Sequence, residues 1–258
     1  MKVVILCGGK GTRLYEETAY RPKPMVEIGG KPILWHIMQG YAKYGFTDFV
    51  LALGYKGDSI KEYFLKYHHM QNDLTVSLGD GSVTTQANGH QDDWTVTLVD
   101  TGDTALKGAR IARVSRYIDG ERFMVTYGDG VGDVDIRRLL EFHEQQSGGG
   151  TFTGVRMPSR FGSVETDDKG RIVSWQEKPL LESYINGGFF VFERSFLDYL
   201  STDDECELER QPMERLAAEG KLSMYRHDGF WHPMDTYRDY QLLNDMWDKG
   251  NARWATTD

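Results

Sequence analysis

Three glycines, a lysine and an arginine crowd into LCGGKGTRL, from Leu6 to Leu14, and a further lysine follows in RPKPM, from Arg21 to Met25. Residues of these types at this density handle phosphate. Gly8, Gly9 and Gly11 let backbone N–H groups turn toward an anion without Cβ obstruction. Arg13 adds a planar fork suited to phosphate oxygens. Lys23 stands between Pro22 and Pro24, which restrict the backbone on both sides and present its ammonium from a stiff segment. Two familiar phosphate loops are excluded. A P-loop needs a Gly-Lys pair followed by Ser or Thr, and the dinucleotide fingerprint needs a third glycine where Leu14 stands. The glycines alone would equally suit a tight strand-to-helix turn; Arg13 and Lys23 favour the phosphate reading.

Three later stretches carry complementary chemistry. In TYGDG, Asp129 follows an apolar strand and is flanked by Gly128 and Gly130, where open α/β sheets hold ligands. A carboxylate there suits Mg²⁺ against phosphates, because hard oxygen ligands fit that ion. Asp133 and Asp135 precede IRRLLEFH and read more simply as helix-capping and first-turn charge. WQEKP places Glu177, an acceptor for two sugar hydroxyls, beside Lys178, a cation for a second phosphate; a bare Glu-Lys pair is by itself ordinary surface. INGG is either a hairpin turn or a place where Asn186 bonds a polar ligand while Gly187 and Gly188 let the backbone approach. The non-alternating PLLESY before it favours the second. GFWHPMDTYRD ends an aromatic run in Asp235, a candidate second metal carboxylate facing Asp129, and Asp235 or Thr236 would cap the last helix. His68, His69 and His90 have no metal-ligand spacing and read as solvated loop residues.

These residues need a scaffold, and the chain supplies an alternating one. Val3–Leu6 reads as a buried strand, residues 31–44 as an apolar-striped helix with Pro32 near its start, Phe49–Leu53 as a strand and Asp58–Tyr67 as a helix. That order specifies a parallel sheet with right-handed crossovers. Between Asp73 and Asp100, short alternating runs separated by turn residues read as antiparallel hairpins beside the main sheet. Alternation then resumes: helix Ala109–Tyr117, strand Phe123–Tyr127, helix Ile136–Gln146. Beyond the SGGG seam, strands Thr151–Arg156, Ile172–Glu177 and Gly188–Phe192 precede helices Pro212–Glu219 and Tyr237–Lys249. The expected fold is α/β: a Rossmann-like, mostly parallel sheet flanked by helices, with an antiparallel hairpin insertion at 73–100.

A chain of 258 residues can bury a substantial core without staples. A formal net charge of −9 argues against a duplex nucleic acid or polybasic membrane surface, though a nucleotide needs only a few local cations. Two widely separated cysteines make neither a disulfide framework nor a metal cluster and suit a reducing cytoplasm. Cys7 by itself reads as a small apolar residue at a strand end. The five-residue apolar start is too short for a signal-peptide core, and no run reaches membrane-span length. A soluble, cytoplasmic protein is expected.

GGKGTRL followed by RPKPM, and then YGDG, EKP, INGG and PMDT in that order, resembles the sugar-1-phosphate nucleotidyltransferases, also called sugar-nucleotide pyrophosphorylases. The resemblance covers nearly the whole chain. VEIGGKPILWHIM, TLVDTGD, RFGSVE and GFWHPMDTYRD are most similar to the family members that use CTP and glucose 1-phosphate, which in relatives feed dideoxysugars of bacterial surface polysaccharide (lipopolysaccharide O-antigen). The resemblance implies that Leu6, Cys7, Gly8, Gly9 and Lys10 bind base and ribose, with Thr104, Arg110 and Gly128 near them. It implies that Gly11, Thr12 and Arg13 hold the leaving phosphates, that Lys23 stabilises the transferred α-phosphate, and that Asp129 and Asp235 hold Mg²⁺. Tyr127, Glu177, Lys178, Asn186 and Gly187 would meet the sugar phosphate. The resemblance implies one domain with a sugar-binding C-terminal half: residues 1–146 mainly the nucleotide half, with the insertion at 73–100, and 151–258 mainly the sugar-phosphate half. A homo-oligomer is expected. The residues leave open another nucleotide such as TTP or UTP, another sugar 1-phosphate, or a catalytically silent sugar-nucleotide-binding regulator.

Overall fold

The computed structural model describes residues 1–87, 92–159 and 161–255; His90 and Arg160 lie outside them. The first strand, β1 (Val3–Cys7), is buried along its whole length. Val3, Ile5 and Cys7 pack into one core cluster and Val4 and Leu6 into another, so the sheet is covered on both faces. Continuous apolar sequence is what such a doubly covered parallel strand requires. On one side β1 pairs in parallel with β2 (Asp48–Leu53), which in turn pairs in parallel with β3 (Thr95–Asp100). On its other side lies β4 (Arg122–Tyr127), again parallel.

Beyond the seam, β5 (Gly150–Val155) pairs antiparallel with β6 (Ile185–Asn186) and β7 (Phe190–Glu193), and parallel with β8 (Leu222–His227). The antiparallel β4–β7 pairing joins the two halves into one eight-stranded sheet. Its aromatic seam is dense, with Phe192 stacked on Phe196 at 3.9 Å between ring centroids and on Phe190 at 5.4 Å. Such stacking adds roughly 0.5–1.5 kcal/mol per pair beyond area burial.

Six helices of eight or more residues flank the sheet: α1 (Ile33–Ala42), α2 (Gly57–Met70), α3 (Lys107–Val114), α4 (Ile136–Gln145), α5 (Gln211–Ala218) and α6 (Tyr237–Asp248). Helix α1 begins directly after Pro32 and buries Ile33, Leu34, Ile37, Met38 and Tyr41, the 3–4 spacing of a single inward stripe. Asp135 caps α4 by accepting from Arg138 N, as expected. Thr236, not Asp235, caps α6, in a reciprocal capping box with Asp239. This leaves the Asp235 carboxylate available to the cleft.

Two expectations need correction. Residues 73–86 do form a separate antiparallel hairpin (Asp73–Val76 with Val83–Gln86), but Thr95–Asp100 is a parallel edge strand of the main sheet. Alternation reports that a strand is covered on one side only; it carries no information on direction, and an edge strand satisfies it equally well. Residues 172–176 are a strand, but in an exposed hairpin with Ser163–Thr166 outside the main sheet. Asn186-Gly187 is no hairpin turn: Gly187 N donates to Thr153 O and Thr153 N to Gly188 O, so the chain runs on along β5 from β6 to β7.

Candidate active site

The carboxyl ends of β1 and β4 open into a cleft of about 1200 Å³, the position at which open α/β sheets bind ligands. Leu6, Gly8, Gly9, Lys10 and Arg13 form one wall. Gly11 holds the loop in a left-handed turn (φ 60°), where a Cβ would approach Thr18 Cγ2 to 2.8 Å, so glycine is required there on both counts. Gly11 and Thr12 shape this turn without lining the cleft, and Cys7 is buried behind it, its thiol held well above the ordinary range mainly by burial.

Lys23 is the centre of the site. Its side chain is 9% exposed, and its Nζ donates to Asp129 Oδ2 at 2.7 Å and to Asp235 Oδ1 at 2.6 Å. Arg13 meets the second Asp235 oxygen at 2.9 Å. Thus four residues from four separate stretches, spread over more than 220 positions, form one ion-pair network. Burial would push the Lys23 ammonium down, but its contacts with Asp129 and Asp235 raise it above the ordinary lysine value. The donor set is therefore hard-oxygen, anionic and already convergent on one cation. That is the arrangement a divalent magnesium needs from two carboxylates.

Arg110, from α3, is 4% exposed. Its guanidinium donates to Leu53 O, Thr101 Oγ1 and Gly102 O at 2.8–2.9 Å, and reaches Gly8 O at 3.2 Å and Asp103 O at 3.4 Å. One side chain therefore ties together the loops that follow β1, β2 and β3. Burial holds its pKa below the ordinary arginine value. Gly8 makes room for it: a Cβ at that position would lie 2.0 Å from the Arg110 Cζ. Thr104, at the rim, donates to the Asp204 carboxylate.

Across the cleft, Gly128, Tyr127 and Asn186 stand in the wall. Gly187 lies behind, hydrogen-bonded to Thr153. Glu177 and Lys178 do not join them. Both side chains are exposed, 3.9 Å apart, beyond the end of the outlying hairpin and outside the cleft walls. The structure also places Lys107, Glu207 and Glu209 in the wall, residues that motif reading passed over. The sequence signal for the two glutamates is the acid at every second position in ECELE.

A glycine-rich loop, a buried lysine and paired carboxylates at the carboxyl end of a parallel sheet define a phosphate-handling α/β protein. The Nucleotidyl transferase family matches residues 2–244, and the chain belongs to that family. It is 46% identical to the glucose-1-phosphate cytidylyltransferase of Salmonella typhi, over 99% of both chains. It is 44% identical to the probable glucose-1-phosphate cytidylyltransferase of Bacillus subtilis, over 98% of this chain and 99% of that one. Among solved structures, a putative glucose-1-phosphate thymidylyltransferase of Bacillus anthracis in complex with a sucrose shares the fold, with a TM-score of 0.70 at 20% identity, covering 100% of this chain and 97% of that one. No helix among the described residues is long and apolar enough to cross a membrane.

Proposed function

We propose that this enzyme makes CDP-glucose and pyrophosphate from CTP and α-D-glucose 1-phosphate. The observation that carries the reading is Lys23 held between Asp129 and Asp235 at the mouth of the glycine loop, in a chain alike over its full length to glucose-1-phosphate cytidylyltransferases. An oxygen of the sugar phosphate attacks the α-phosphorus of the nucleotide; the bond to the bridging oxygen of the β-phosphate breaks, and pyrophosphate leaves. The attacking oxygen is already an anion, so no general base is needed. The work of the site is to bring two polyanions together in line, for which positioning contributes up to ~7–11 kcal/mol in favourable cases.

The loop from Leu6 to Arg13 cradles the nucleotide, with Arg13 on the leaving phosphates. Lys23 meets the charge that builds on the α-phosphate. Thr104 and Arg110 frame the base, Arg110 by fixing the loops around it. Asp129 and Asp235 would hold Mg²⁺, which when bound offsets phosphate charge. Tyr127 and Asn186 meet the sugar phosphate from the opposite wall. Glu177 and Lys178 join them only if the 163–176 hairpin closes toward the cleft. Residues 1–146 then act as the nucleotide half, and 151–258 as the sugar-phosphate half, of one cytoplasmic enzyme.

The two outlying hairpins expose large apolar side chains, including Leu78, Val173 and Trp175, which supports assembly into a homo-oligomer. The test of the activity is product identity: CTP, Mg²⁺ and glucose 1-phosphate incubated with the protein should yield CDP-glucose and pyrophosphate in equal amounts. Failure to form CDP-glucose would refute the assignment.

A further inference from the structure

We propose that Glu209 is a positioning residue: by taking the Tyr127 proton it holds the Tyr127 hydroxyl as the acceptor that anchors the Asn186 amide facing the sugar 1-phosphate. The inference rests on the activity proposed above and identifies what orients the sugar side of that site.

A one-way chain of hydrogen bonds crosses the floor of the cleft. The Asn186 Oδ1 accepts from Gly188 N at 2.9 Å, so the backbone decides which end of the side-chain amide is oxygen. Its Nδ2 donates to the Tyr127 hydroxyl at 2.8 Å. That hydroxyl, having accepted, directs its own proton to Glu209 Oε1 at 2.6 Å. An ionised carboxylate accepts only, so it commits the Tyr127 proton and leaves that hydroxyl to accept from Asn186, while Gly188 N fixes the other end of the amide. The second Nδ2 hydrogen of Asn186 has no acceptor among the described residues, and Asn186 lines the cleft. Asn186 therefore offers the substrate a donor, and the matching ligand chemistry is an acceptor oxygen, from either a sugar hydroxyl or the sugar's phosphate.

The chain needs Glu209 to be an anion, and its surroundings keep it one. The Lys107 ammonium, at the first residue of α3, lies 3.1 Å from Glu209 Oε2 and 3.1 Å from Glu207 Oε1. Burial pushes Glu209 up, but the Tyr127 hydroxyl and Lys107 bring it below the ordinary glutamate value. Glu207 is raised, mainly by burial. Arg110 lies one turn further along α3, pinning the nucleotide-side loops. One short helix thus orders both walls of the cleft.

The deciding variant is Glu209→Gln, equal in size, which replaces the charged acceptor of the Tyr127 proton by a neutral amide and so weakens the anchor. Pyrophosphate release under saturating nucleotide should show KM for glucose 1-phosphate raised roughly ten- to a hundredfold, the size of effect of a charged hydrogen bond. In the same variant kcat should change less than about threefold, and the dissociation constant for CTP alone should match the wild type. Glu209→Asp should recover part of the loss. Parallel arms with mannose 1-phosphate and galactose 1-phosphate locate the contact. Lost discrimination against these epimers means that a hydroxyl is read; an equal rise for every sugar means the phosphate. Either outcome supports the proposal. An unchanged sugar KM overturns it, and so does parallel loss of CTP binding and sugar binding, which marks a merely structural network. Should wild type prove active with a different nucleotide and sugar phosphate, the assigned substrates fail, and the same comparison made with that pair still decides the role of Glu209.

Discussion

Lys23 is where the chemistry concentrates, and its surroundings say what removing it should do. The ammonium separates two carboxylates that would otherwise face one another across the same point. Lys23→Ala therefore removes the cation proposed to meet the α-phosphate and leaves like charges together. Pyrophosphate release should fall on the order of a hundred- to a thousandfold, and a variant with near-normal turnover would contradict the role given to it. Asp129→Asn keeps the shape and loses the charge; the Mg²⁺ concentration for half-maximal rate should rise several-fold, and an unchanged requirement would count against this carboxylate as a metal ligand. Lys23, Asp129 and Asp235 were each legible by residue type and local setting. That all three meet was not, because separations of 106 and 212 positions are closed only by the folded sheet. Arg110 is a different case. The family resemblance implies a residue near the base; the structure adds that its guanidinium lines the cleft while engaged mostly by backbone carbonyls, a fastening that no local pattern announces.

At the scale of elements, strand and helix order could be read because burial on both faces and 3.6-residue stripes leave strong patterns, as β1 and α1 show. Direction and sheet membership could not. The 95–100 strand reads as a hairpin strand because edge strands and hairpin strands alternate alike, and the 172–176 segment reads as a strand, as it is, without saying that its partner lies outside the main sheet. Helix α1 also carries a prediction of its own. His36, 3% exposed, bonds Ile28 O through Nε2 at 2.9 Å and accepts from the Trp254 indole N–H at its Nδ1 at 3.3 Å. Indole only donates, so the ring must be neutral. Burial lowers its pKa from 6.5 to about 4. Between those values the unfolded chain binds a proton that the folded chain refuses, so stability falls as pH drops through the window, by roughly 3 kcal/mol at most. Denaturant titrations at pH 7 and pH 5 should show this loss in the wild type and a shallower one in His36→Gln. Equal pH slopes would mean that His36 does not drive it.

For the molecule as a whole, the antiparallel β4–β7 pairing makes one sheet of the two halves, so the phosphate loop and the sugar wall share a rigid floor. The outlying hairpins are the exception, with apolar side chains turned outward. Leu78 is 94% exposed and Trp175 63%. Light scattering should return a multiple of the chain mass, and Leu78→Glu or Trp175→Glu should lower it; a wild-type monomer would remove the basis for an oligomer. The activity is decided by pyrophosphate release with Mg²⁺ and glucose 1-phosphate, comparing CTP, UTP, TTP, ATP and GTP side by side. Release with CTP well above the other four is the predicted result. Release chiefly with another nucleotide, or with none in folded protein that still binds CTP, would contradict it.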